Sequence, residues 1–177
     1  MKKKMELSKY KACICEGGAE RAIMDILLEN DLLIFSKNEL INDEIIFCRS
    51  AREFENRYLR HEYDNKISVI RILDSKNEKF KLSKAYIDKI DVINVITAPE
   101  IEMLIIHSEN MYKEYCKSNQ KPSDFCKQRL HKLRYDKKYD TVRSYFSSPK
   151  KLVYAIKIYH QKQKSNDQYS LLDLLKN

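Results

Sequence analysis

Apolar positions fall into short continuous runs in the first half of the chain and into helical spacings in the second. Ala12 to Cys15, Glu44-Ile-Ile-Phe-Cys48, Ile67-Ser-Val-Ile-Arg-Ile-Leu-Asp74 and Asp91-Val-Ile-Asn-Val-Ile96 have the length and character of buried strands. The third is almost continuously apolar, as expected of a parallel strand covered on both faces. Between the first two, Ile23, Ile26 and Leu27, interleaved with Met24 and Leu28, repeat at helical spacing. Ser50 can cap a helix through about Arg60, and Ser83 one through Lys89. Pro99 suits the first position of another helix, over Glu100 to His107. Beyond Glu100 the pattern is helical only: Pro122 to Leu130 with Ser123 as cap, Tyr139 to Phe146, and Pro149 to about Lys164. Ser165-Asn-Asp-Gln reads as a linker, and Ser170-Leu-Leu-Asp-Leu-Leu as an apolar segment that either packs back or docks onto a second subunit. The order predicts an α/β protein: a small parallel-sheet core over residues 1–110, then a basic α-helical extension over 111–177 packed on it.

The stretch Lys11 to Leu28 sets the chemistry. It holds both glycines of the protein, Gly17 and Gly18, between a strand and a helix. Glycine tolerates positive φ and close backbone approach, so a sharp turn is expected there. Glu16 ends the strand and Glu20 falls in the first helical turn, where a carboxylate also complements the helix dipole. The spacing matches neither a dinucleotide fingerprint nor a Walker loop. Glu16, Asp74 and Glu100 each follow the carboxyl end of a predicted strand, the side of an open parallel sheet on which ligands bind. Carboxylates gathered there repel one another, and a hard divalent ion resolves the conflict. Mg²⁺ accepts one or two of them and keeps several waters.

Charge adds a partner class. Thirty-four Lys and Arg against 26 Asp and Glu give a net charge of +8, which points to a polyanion. The region Lys113–Lys164 interleaves cations with Tyr112, Tyr115, Tyr135, Tyr139, Tyr145 and Tyr154. Cations there, Lys127, Arg129 and Lys132 among them, can contact phosphates while rings stack on unpaired bases. The competing reading is a solvated helical surface with half-buried tyrosines. No apolar run approaches the ~20 residues of a membrane span. Met1-Lys-Lys-Lys is followed by no signal-peptide core, so a cytoplasmic location is expected. Five cysteines without a C-x-x-C pair suggest free thiols, with Cys13 and Cys15 sharing one face of a buried strand. The four histidines are scattered and form no metal-ligand spacing.

Cys-Ile-Cys-Glu16-Gly17, with Glu20 four positions beyond Glu16, resembles the first motif of TOPRIM domains. These are the metal-binding folds shared by topoisomerases, primases and OLD-type nucleases. Their second motif is Asp-x-Asp; here Asp74 matches the first Asp and Lys76 replaces the second, with Glu78 as a substitute if the loop folds back. The segment Ala98-Pro99-Glu100-Ile101-Glu102 through His107 resembles that of RloB-like proteins, compact TOPRIM relatives associated with phage defence. The likeness covers roughly residues 10–135. It implies a Rossmann-like TOPRIM core and a Mg²⁺- or Mn²⁺-dependent endonuclease acting on RNA, tRNA included, or on DNA. Glu16 would ligate the metal or act as general base, Asp74 would hold the metal, and Glu20 or Glu100 would complete its shell. The alternative is a degenerate, noncatalytic nucleic-acid-binding or regulatory subunit of a defence system, acting as a homo-oligomer or with a partner protein. Three further expectations follow. Glu16→Gln should remove cleavage and leave the fold intact. Glu100, not Glu102, should face the site. Glu102 should pair with a core cation such as Arg71.

Overall fold

A computed structural model describes residues 5–74, 79–97, 101–130, 136–162 and 168–176. Lys76, Glu78, Glu100, Lys132 and the Pro99 helix start lie outside the described residues. Four parallel strands, β1 (Tyr10–Cys15), β2 (Ile46–Phe47), β3 (Ile67–Leu73) and β4 (Ile90–Ile96), form one sheet in the order β2-β1-β3-β4. The helices are α1 (Gly18–Glu29), α2 (Ala51–Tyr58), α3 (Glu102–Ser108), α4 (Tyr112–Ser118), α5 (Pro122–Arg129), α6 (Tyr139–Tyr145) and α7 (Pro149–Lys162). The expected α/β class with a helical carboxyl-terminal region is what the chain forms.

Side chains alternate across the sheet and define two apolar layers. Cys13, Cys15, Ile70 and Ile72 pack with α1, α3 and the later helices. Ala12, Ile14, Ile67 and Val69 pack with Phe54 of α2 and with Phe80 and Tyr86. Every residue of β3 is buried, as its sequence requires. Helix α3 is apolar on all sides and is buried throughout from Glu102 to His107. The Leu-rich terminal segment packs back: Ile34 N–H donates to Leu174 C=O and Lys176 N–H to Leu32 C=O. Leu171 and Leu174 are buried in the layer that holds α1.

Two predicted elements differ. Ser83 to Lys89 forms hydrogen-bonded turns rather than a helix, with the amides of Tyr86 and Ile87 both donating to Ser83 C=O. Helix α5 is preceded by Lys121 as its cap, with Pro122 in its first turn, so Ser123 lies inside the helix. Ser50 caps α2 as expected, accepting from Glu53 N–H.

Candidate functional site

The strand ends bring the predicted acidic residues to one edge. β1 ends at Cys15 and Glu16 follows; β3 ends at Leu73 and Asp74 follows; Arg49 stands just beyond β2. There a cleft of about 540 Å³ is lined by Glu16, Gly17, Glu20 and Asp74, with Arg49, Lys79 and Ile72. Three of the four predicted carboxylates are therefore assembled by the parallel topology; the fourth, Glu100, lies outside the described residues.

The glycines serve a purpose other than the expected one. Neither has positive φ, and Gly17 is extended at φ −119° and ψ 160°. What matters is the missing Cβ. A Cβ on Gly17 would fall onto Glu20 Oε2, because Glu20 folds back over the turn. A Cβ on Gly18 would stand 3.1 Å from the backbone nitrogen of Tyr139, where α6 begins. Gly17 thus makes room for a carboxylate, and Gly18 for a neighbouring backbone. Tyr139 then donates through its hydroxyl to Asp25 at 2.9 Å, and Arg143 pairs with Glu29 at 2.6 Å, fixing α6 along α1.

Glu16 has a partner that the strand pattern did not announce. Arg71, in the middle of β3 and 1% exposed, donates from a terminal nitrogen to Glu16 Oε1 at 2.6 Å. Its guanidinium lies 4.7 Å from the Phe80 ring centroid. Burying a guanidinium demands such a partner. Arg71 is therefore not the partner of Glu102, contrary to expectation. Glu102, fully buried, pairs with Lys137 at 3.4 Å.

Glu20 is buried at 8% exposure. Burial raises its pKa, the negative charges of Asp74 and Glu16 raise it further, and its helix-terminal amide and Lys137 oppose the rise. The repulsion registers a shared field among the three carboxylates. Hard oxygen donors of this kind suit Mg²⁺, which needs only one or two carboxylates. Among the described residues no three His, Cys, Asp or Glu side chains close on a single point. A bound Mg²⁺ would accordingly be held by Glu20 and Asp74 with waters, while Glu16 is engaged by Arg71.

Of the three cations predicted for nucleic acid, Lys127 and Arg129 are exposed on α5 and neither lines the cleft. Arg129 lies 3.8 Å from Glu114. Tyr112, Tyr115 and Tyr139 are half-buried against the apolar layer and Tyr145 is buried, while Tyr154 is 50% exposed. His107 is a core residue, stacked on Tyr112 at 4.7 Å between centroids. Arg49, Arg71 and Lys79 were not singled out as site residues by sequence. Arg71 carried a usable signal: a charge inside an apolar strand must find a counter-charge near a strand end.

These features define an open parallel α/β protein with an acidic cleft at the carboxyl edge of its sheet. Searches of protein-family models, curated proteins and solved structures found no match to the chain.

Proposed function

We propose that this protein is a divalent-metal-dependent nuclease of TOPRIM type, cleaving phosphodiesters in RNA, tRNA included, or in DNA, in the setting of phage defence. The observation that carries the reading is the convergence of Glu16, Glu20 and Asp74 on one cleft flanked by Arg49 and Lys79. Anionic and cationic groups side by side fit a site that must hold both a metal and a phosphate. When bound, Mg²⁺ would supply charge neutralisation at the phosphoryl oxygens. Glu20 and Asp74 would hold the ion, and the Gly17 turn leaves the space in which Glu20 sits. Arg71 fixes the orientation of Glu16 at the rim, and Arg49 and Lys79 draw the phosphate backbone in.

Cleavage of tRNA, single-stranded RNA, plasmid and single-stranded DNA, each with Mg²⁺, Mn²⁺ or EDTA, tests the reading. Glu20→Gln and Asp74→Asn are expected to abolish metal-dependent cleavage and to weaken Mn²⁺ binding without loss of fold. Full activity in both folded variants would refute it. The Glu16–Arg71 ion pair favours a second reading, a noncatalytic nucleic-acid-binding subunit, because a carboxylate oxygen held by a guanidinium is not free to position a water or a metal. Tight binding with no cleavage under any metal would select it.

A further inference from the structure

The β2 side of the cleft carries groups that the acidic residues do not use. Phe47 closes β2 in register with Cys15, the residue before Glu16. Phe47 is 43% exposed, whereas the adjacent Ile46 is 1% exposed. The Arg49 guanidinium stands 5.8 Å from the Phe47 ring centroid, and Arg49 itself lines the cleft with Lys79. Among the described residues neither Arg49 nor Lys79 makes an ion pair, while Lys9, Arg57, Lys66 and Arg129 elsewhere on the surface are matched by carboxylates. An exposed aromatic residue next to Arg49, which with Lys79 lines the cleft outside any ion pair of the described residues, combines the two elements of single-strand recognition. A duplex keeps its base faces stacked on one another and cannot offer them to the ring.

We propose that the cleft takes an unpaired nucleotide strand, with Phe47 stacking on a base and Arg49 and Lys79 holding the flanking phosphates. This rests on the reading of the cleft as a nucleic-acid site and names its substrate class. The test is fluorescence anisotropy in EDTA, with the full chain and labelled oligouridine, oligothymidine and a duplex of equal length. The single strands should bind more tightly than the duplex, and the oligouridine and oligothymidine arms separate RNA from DNA preference. Phe47→Ala should weaken single-strand binding by about 5- to 150-fold, the fold-change equivalent of one stacked base, while leaving the salt slope unchanged. Phe47→Tyr should restore it. Arg49→Gln and Lys79→Gln should each flatten the log–log salt slope by about 0.7. Because Phe47 is exposed, thermal melts of its variants should match the wild type. Equal affinity for the duplex together with an unchanged Phe47→Ala variant would overturn the proposal. So would slopes that respond to Lys127→Gln and Arg129→Gln instead of to the cleft cations. Single-strand binding with the expected variant pattern but no cleavage would support the proposal and refute only the nuclease reading.

Discussion

Glu16→Gln separates what Glu16 does for the fold from what it does for the site. The substitution removes the negative charge facing Arg71, whose side chain is 1% exposed and whose ion pair spans 2.6 Å. Glutamine keeps a carbonyl acceptor, so one hydrogen bond can survive without its charge. The contacts to Asn94 Oδ1 at 3.5 Å and to the face of Phe80 are weaker than the ion pair. Removing one partner of a buried pair outright costs about 3–5 kcal/mol, and a hydrogen bond to a charged group contributes about 1.5–3 kcal/mol. The variant keeps part of the contact, and the side chain at position 16 is itself partly exposed, so a loss of about 2–3 kcal/mol is expected. In a chain of this size that lowers Tm by about 4–12 °C. Glu16→Gln should therefore still fold, as expected, but with a lower melting temperature. Thermal and urea unfolding of Glu16→Gln, Arg71→Met and the double variant form a double-mutant cycle. The double variant should recover most of the loss, with a coupling of about 1–3 kcal/mol. A Tm unchanged in Glu16→Gln, with coupling near zero, would show that the ion pair carries no stability. Any cleavage lost in this variant must be read per folded molecule and compared with Glu20→Gln.

Gly17→Ala should displace the Glu20 carboxylate and weaken Mn²⁺ binding while moving Tm by less than Gly18→Ala, since the Gly17 clash falls on a flexible side-chain end and the Gly18 clash on backbone. Isothermal titration and thermal melts on both variants check this, and wild-type Mn²⁺ affinity in Gly17→Ala would contradict it. Burial, with help from the nearby Lys162 charge, lowers the His107 pKa from 6.5 to about 4. The unfolded chain therefore binds a proton that the folded chain refuses between those values, so stability should fall as pH drops from about 6.5 to 4. His107→Phe should flatten that part of the urea-midpoint profile; an unaltered profile would assign the acid sensitivity to other groups.

The sheet was legible because nearly continuous apolar runs in β1 and β3 leave few alternatives to strands buried on two faces, while β4 kept enough β-branched residues to read as a strand although part of it is exposed. The carboxyl-edge positions of Glu16 and Asp74 followed from those ends alone. Ser83 to Lys89 was misread because a capping serine is a weak signal without an apolar stripe. Ile87 there is 60% exposed, and within the segment only Tyr86 packs against the core. So short a segment cannot sustain a helix without packing. Ser123 lost the cap position because Pro122, with its fixed φ, occupies the helix start. The glycines were expected for their freedom and are used for their size, a distinction that depends on what passes nearby. Pairing Arg71 with Glu102 failed because α3 packs on the opposite side of the sheet from Arg71.

That division between faces decides how the acidic residues should be weighed. Ile14 of β1 is in register with Arg71 of β3, and Glu16 is two residues further along β1, on the same face as Ile14. A long guanidinium side chain reaches that diagonal neighbour, and beyond the last strand residue the carboxylate gains access to water. A carboxylate at 2.6 Å offsets part of the cost of burying Arg71, so Glu16 already has a task in the fold. Asp74 continues the opposite alternation, that of Ile70 and Ile72, and Glu20 rises from α1 on the same side of the sheet. Among the described residues neither of these two carboxylates makes an ion pair with a buried cation of the strands, and Glu20 is held under repulsion from Asp74 and Glu16. Retaining a buried acid against that repulsion is a cost that folding does not require. The functional weight of the cleft therefore falls first on Glu20 and Asp74, and substitutions there should affect metal binding more than stability.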